Sequence, residues 1–266
     1  MALAVDGFSR VSAGTTMKRT RSGEYKLPGP LKRCLGNVLI HIAKCAPGAV
    51  RRRFLQRGSY YQVFNEEELG DQQGVSMNKW KAMQMPSNLF GKSVLDIGCA
   101  DGFFCRLCAQ KGAKMVLGVD SAIGRLLRAR FMALEEGLNI NYRIDVFPSR
   151  NLHRQFDYVL CLSVLHHSLV SKDLWKVQTD EQCVEDLSTL QNLLGVLKDL
   201  TAPGGSCVIE MPYEYDDPGE RLEVDFERFN QELLKAGFRN ATCFGTWEHN
   251  EKLKAKKDRL IYVAQA

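Results

Sequence analysis

Three things are missing from this sequence, and each absence narrows what the chain can be. No apolar run approaches the roughly 18 residues that a membrane-spanning helix needs, and no apolar signal segment follows the first Met, so a cytoplasmic protein is expected. No second Cys/His pair with ligand spacing accompanies Cys105-Arg106-Leu107-Cys108, so this CxxC reads as packing on a helix, and no metal is expected. The nine cysteines lie within apolar or helical stretches, as at Cys161 and Cys207, which fits reduced, buried thiols better than a disulfide set.

Acidic residues are also scarce at the start of the chain. Met1 to Arg57 carries 12 Lys/Arg against Asp6 and Glu24, a net +10, whereas Gly58 to Ala266 carries 24 against 29, a net −5. Such asymmetry points to an anionic partner for the N-terminal region, either nucleic acid or a lipid surface. Residues 1–30 mix Ser, Thr, Gly, Lys and Arg and read as a disordered basic arm, although an organelle transit peptide would share that composition. Leu31, Leu35, Val38, Leu39, Ile42 and Ala43 then recur at three and four, an amphipathic helix expected to pack as a cap on the main domain. A second basic helix, Ala49 to Gln56, carries Arg51-Arg52-Arg53. The expected organisation is an arm (1–30), a helical extension and lid (31–90) and one domain (91–266).

What is present is an alternation of apolar strands and helices. Val94 to Ile97 runs into the glycine-bearing turn Gly98-Cys99-Ala100-Asp101-Gly102, and helical spacing follows from Phe103. Further strands are expected at 115–119, 141–146, 156–162, 206–211, 241–244 and 259–264, with helices at 121–136, 180–200 and 223–236. Ala202-Pro203-Gly204-Gly205 is read as the break between the long helix and the fifth strand. The fold class is therefore α/β: a Rossmann-like, seven-stranded, mostly parallel sheet with an antiparallel last strand, plus a basic helical N-terminal extension.

The turn indicates the ligand. Gly98 and Gly102 let backbone pass close beneath a bound group, Asp96 closes the first strand, and Asp120 ends the second, where a carboxylate accepts ribose hydroxyls. The dinucleotide pattern GxGxxG is absent, and the acidic residues here would repel a diphosphate. An adenosine ligand with a cationic centre fits better. Lys79-Trp80, just upstream, reads as part of a lid.

Asp96-Ile97-Gly98-Cys99-Ala100-Asp101-Gly102, Asp120, Asp145, Phe156-Asp157-Tyr158-Val159 and Pro203-Gly204-Gly205, in that order, resemble class I S-adenosylmethionine-dependent methyltransferases over Lys92 to Ala266. The family's middle glycine is Ala100 here. The resemblance implies that Asp96, Gly98, Cys99, Ala100 and Gly102 lie against the amino-acid part of S-adenosyl-L-methionine, and that Asp120 and Ser121 meet the ribose. It also implies that Asp145 and Val146 face the adenine and that Leu162 and Ser163 line the sulfonium. A local alternative for Asp145 is a strand-end carboxylate capping its own turn.

Lys79, Gly118-Val119-Asp120, Ser163-Val164-Leu165-His166-His167 and Arg259 are further similar to the family that modifies the wobble uridine of tRNA with carboxy-S-adenosyl-L-methionine. There Lys79 and Arg259 would hold the extra carboxylate, but His166 stands where that family has tyrosine, which favours the ordinary cofactor. The leading acceptor is then a tRNA uridine; the alternatives are O-methylation of a glycan or small metabolite and a non-catalytic nucleoside-cofactor binding module. His166 and His167 are candidate bases, since imidazole titrates in the range needed to take a hydroxyl proton. Glu210, Tyr213, Glu214 and Tyr215 are candidates for the acceptor pocket.

Overall fold

Side-chain alternation along the strands decides the architecture. The protein is described by a computed structural model over residues 18–19, 25–26, 29–56, 76–77, 79–149, 152–165, 180–212, 226–246 and 259–266. One sheet contains β1 (Ser93–Ile97), β2 (Met115–Asp120), β3 (Asn141–Ile144), β4 (Phe156–Leu162), β5 (Thr201–Pro212), β6 (Asn240–Thr246) and β7 (Arg259–Gln265). Its order is β3-β2-β1-β4-β5-β7-β6. Neighbours from β3 through β5 pair in parallel, and β7 alone runs against both of its neighbours, as the sequence led us to expect.

Odd and even positions face different cores. Leu95, Ile97, Val159, Cys161 and Ile209 point to one side, where α5 (Asp180–Leu200) supplies Leu190, Leu193, Leu194 and Leu197, and α6 (Phe226–Lys235) supplies Phe229 and Leu233. Val94, Leu160, Val208 and Ile261 point to the other, against Phe104 and Cys108 of α3 (Phe103–Gln110) and Leu126, Ala129 and Ala133 of α4 (Ile123–Glu135). A period of two on the sheet meets a period of three to four on the helices, and both faces are covered.

Two sequence expectations change. The Pro203-Gly204-Gly205 run does not separate α5 from the fifth strand but lies inside β5 as a bulge: Phe156 pairs with Thr201, and the next register pair is Tyr158 with Ser206. Gly205 is required there, because a Cβ would fall 2.6 Å from the Asp157 carbonyl oxygen.

The second change concerns α1 (Gly29–Ile42), which continues as a 3-10 turn, Ala43–Cys45, and leads to α2 (Gly48–Leu55). α1 does not pack through its most apolar stripe. It lies on the edge strand β3 through Gly36, Asn37 and Ile40, with Asn37 Oδ1 accepting the Ile144 N–H at 2.7 Å. Gly36 comes so close that a Cβ would overlap the Ile144 side chain. Covering the edge of the sheet satisfies a backbone donor that would otherwise be open, and this contact fixes the rotation of the helix. Leu31, Leu35, Val38, Leu39 and Ile42 consequently face outward. Most of the arm, residues 1–30, lies outside the described residues.

Candidate active site

The ends of β1 and β2 set the site. After Ile97 the chain crosses into the left-handed region three times in five residues, at Gly98 (φ 70°), Ala100 (φ 48°) and Gly102 (φ 75°). Gly98 and Cys99 both donate their N–H groups to the Val119 carbonyl, at 2.8 and 3.0 Å, so the turn is laced to β2. Asp120 then takes the Ala100 N–H on Oδ2 at 3.0 Å and the Ala122 N–H on Oδ1 at 2.8 Å. One carboxylate therefore holds the turn and starts α4 together. Gly98 has a neighbour from the opposite side: a Cβ would lie 2.4 Å from Val164 Cγ2, so the loops after β1 and β4 are interlocked.

Ala100 is the one turn residue whose side chain bears the cost of a positive φ. Left-handed backbone costs a non-glycine residue about 1–2 kcal/mol, and glycine recovers part of this while losing more entropy on folding. Ala100→Gly is therefore expected to change stability by less than about 1 kcal/mol, whereas Ala100→Val, β-branched at a buried position, is expected to cost more than about 2 kcal/mol. Parallel thermal melts check both.

A cavity of about 310 Å³ opens beside this turn, lined by ten of the residues named from sequence: Lys79, Asp96, Gly98, Ala100, Asp120, Ser121, Asp145, Val146, Leu162 and Ser163. Three others are placed differently. The Cys99 side chain is buried under β2, in the space that a Gly118 Cβ would need, and Gly102 caps the N-terminus of α3. Arg259 opens β7, paired with Pro212, and its side chain lies outside the described residues. His166, His167, Tyr213, Glu214 and Tyr215 also lie outside them. The cavity gains Phe104, Arg125 and Phe147, which the sequence reading did not single out. Their nearness in sequence to Gly102, Ser121 and Val146 was the available signal.

Charge inside the cavity is organised by pairing. Asp96 is buried and accepts the Cys105 thiol hydrogen at 3.2 Å. Loss of water around the carboxyl raises its pKa to about 7; the thiol opposes this and the charge of Asp120 adds to it. Asp145 is buried and well supplied with donors: Arg143 at 2.9 Å, Ser149 Oγ at 2.6 Å, the Val146 N–H at 2.9 Å and, more loosely, Arg33 of α1 at 3.4 Å. The local capping arrangement is thus present, with α1 added to it.

Glu210, at the end of β5, is fully buried and is not open to the cavity as an acceptor group. Its carboxylate is 2.9 Å from Lys79 Nζ and accepts the Ser163 hydroxyl at 2.8 Å. Lys79 belongs to the helical residues 76–77 and 79–82, so the Lys79–Glu210 pair fastens the expected lid to the sheet across 131 positions of sequence. A lysine ammonium already matched by a buried carboxylate does not supply an unbalanced cation for an extra carboxylate on a ligand, which agrees with the expectation of the ordinary cofactor over the carboxylated one. Among the described residues no cluster of three His, Cys, Asp or Glu could hold a metal, and no helix is long and apolar enough to cross a membrane.

With this geometry in place, similarity to known proteins becomes informative. A family model described as "Methyltransferase domain" matches residues 77–247. Among curated proteins, a ubiquinone biosynthesis O-methyltransferase of Pseudomonas fluorescens is 40% identical over 82 residues, 30% of this chain and 35% of that protein. A counterpart in Idiomarina loihiensis is 43% identical over 82 residues, 30% of this chain and 33% of its own length. The chain thus spans about a third of the length of the curated relatives it matches. Among solved structures, phosphoethanolamine N-methyltransferase 2 of Haemonchus contortus, in complex with phosphomonomethylethanolamine and S-adenosylhomocysteine, superposes with a TM-score of 0.53 at 15% identity. That match covers 81% of this chain and 60% of the other, and at this identity it speaks for the fold alone.

Proposed function

We propose that this chain, which belongs to the methyltransferase domain family, is an S-adenosylmethionine-dependent enzyme that methylates a hydroxyl oxygen of a small molecule. The observation that carries this reading is the likeness of an 82-residue stretch of the chain to proteins named for O-methylation in ubiquinone biosynthesis. The tRNA uridine suggested by the motif after β4 finds no counterpart in those names and gives way to this alternative. In domain terms we propose residues 31–90 as extension and lid, and 91–266 as the domain that holds the cofactor.

The residues fit the cofactor by their chemistry. An adenosine sulfonium ligand needs apolar walls, hydroxyl acceptors and anionic relief for its positive groups, and the cavity offers Phe104, Phe147 and Leu162, then Asp120, then Asp96. In our reading Gly98 and Ala100 bring backbone against the amino-acid part, and Asp120 and Ser121 meet the ribose. Val146 and Phe147 flank the adenine. When bound, S-adenosylmethionine supplies an electrophilic methyl group on sulfur.

The protein's own work is alignment and proton removal. Ser163, held by Glu210 and at φ 57°, shapes the cavity wall beside Leu162. His166 and His167 come next in sequence after Leu165, and we assign one of them as the base that takes the acceptor proton. Methyl-labelled cofactor offered with a catechol or with bulk tRNA tests the acceptor. Label is expected in the phenol; label in the RNA alone would restore the uridine reading, and cofactor binding without any transfer would leave a binding module. His166→Ala with His167→Ala is expected to reduce transfer to the phenol by about 100-fold or more while cofactor binding is retained.

A further inference from the structure

Helix α1 is built the wrong way round for a helix that only covers a domain. Its inward side carries Gly36, Asn37 and Ile40, while Leu31, Leu35, Val38, Leu39 and Ile42 lie on the opposite side, each between 39% and 59% exposed. At about 100° per residue these five fall within roughly 100° of arc, a single stripe about 17 Å long. Rotation of the helix cannot hide it, because three contacts fix the other side: Gly36 on Ile144, Asn37 on the Ile144 N–H, and Arg33 on Asp145. Water therefore meets the most apolar surface of the helix by construction.

We propose that this stripe is a docking surface for an anionic lipid bilayer, with α1 lying in the interface plane. Charge identifies the occupant. The segment Met1 to Arg57, which contains the helix, has a net charge of +10, and Lys44, Arg52 and Arg53 are exposed close to it in sequence. An apolar stripe in a strongly cationic setting is the arrangement by which interfacial helices combine burial of side chains with attraction to acidic headgroups. RNA would use the charge but not the stripe, which contains no aromatic ring on which a base could stack. A second copy would bury the stripe, but it would bring two segments of +10 together. The inference stands apart from the acceptor proposal, since it uses no residue of the cavity except the Arg33 contact on Asp145.

Flotation or co-sedimentation of the full chain with vesicles tests it. Vesicles of phosphatidylcholine alone are compared with vesicles containing about one third phosphatidylglycerol, each at low salt and at about 0.5 M salt. Binding is expected only with the anionic lipid, weakened at high salt. Leu35→Glu combined with Ile42→Glu is expected to weaken it by at least about tenfold, with the melting temperature and cofactor binding unchanged because both side chains face solvent. Leu39→Trp keeps the stripe apolar, and its emission is expected to shift to the blue when anionic vesicles are added. Undiminished binding by the double glutamate variant, no blue shift, or no binding to either vesicle overturns the proposal. So does a wild-type dimer that the glutamates convert to monomer, or RNA binding that the glutamates abolish.

Discussion

Gly102→Ala is expected to lower the melting temperature by about 5–15 °C, corresponding to a loss of roughly 2–5 kcal/mol in a domain of this size. Two effects add. At φ 75° any side chain costs about 1–2 kcal/mol. The new methyl would also sit 2.5 Å from Tyr142 Oη and 2.9 Å from Ala129 Cβ, in a core without room, and overpacking of that kind costs about 1–3 kcal/mol. Gly91→Ala separates the two contributions: its φ is 76° but nothing lies within 4 Å of the added Cβ, so only the backbone cost of about 1–2 kcal/mol should appear. Denaturant melts of both variants give the comparison. Equal losses would show that the crowding at Tyr142 relaxes at little cost, leaving backbone geometry as the whole effect. Cofactor binding should fall with Gly102→Ala and not with Gly91→Ala, because Gly102 joins the turn to α3 and Gly91 does not.

The second large effect is a pH slope centred on Asp96. Its carboxyl is raised from 3.8 to about 7 in the folded protein, first by burial. The folded state then holds a proton that the unfolded state has released, so the stabilisation is complete below pH 3.8 and is lost as pH rises through about 7. At 1.36 kcal/mol per unit, the ligand-free protein loses on the order of 4 kcal/mol from this group across that interval. Asp96→Asn removes the ionisation while keeping an oxygen for the Cys105 thiol, so its stability curve should be flatter, lying below the wild type at pH 5 and above it at pH 8. Urea melts at pH 5 and pH 8 measure the crossing. A wild-type slope identical to that of the variant would mean that the carboxyl titrates normally. Cofactor binding supplies positive charge, so it should release a proton from Asp96 near neutral pH, seen by calorimetry in buffers of different ionisation heat.

Legibility followed locality. β4 and α5 were read with the bounds they have, because continuous apolar runs and an i, i+3, i+4 pattern are properties of a few adjacent residues. The turn after β1 was legible for the same reason, with its glycines at Gly98 and Gly102 and its carboxylates one strand apart. The bulge in β5 was not: Pro-Gly-Gly signals a break whether the chain leaves the sheet or only loses register, and the choice is made by Phe156 and Tyr158 of the neighbouring strand. Nor was the burial of Glu210, whose partners Lys79 and Ser163 are 131 and 47 positions away. The orientation of α1 misled for a sharper reason. The apolar stripe was a correct observation, but burying it was an assumption, and a glycine and an asparagine facing the open edge of β3 decided the rotation instead. His166 and His167, by contrast, rest on the sequence reading, since they lie outside the described residues.

The contact between Gly98 and Val164 has a mechanical meaning. The turn that follows β1 and the loop that follows β4 close on each other here, because a side chain at position 98 would have to push Val164 away. On the proposed placement of the cofactor against Gly98, a change at position 164 is expected to disturb the turn that holds it, and a larger residue at 98 is expected to reshape the cavity wall at Val164. On that reading, acceptor selectivity and cofactor retention are coupled.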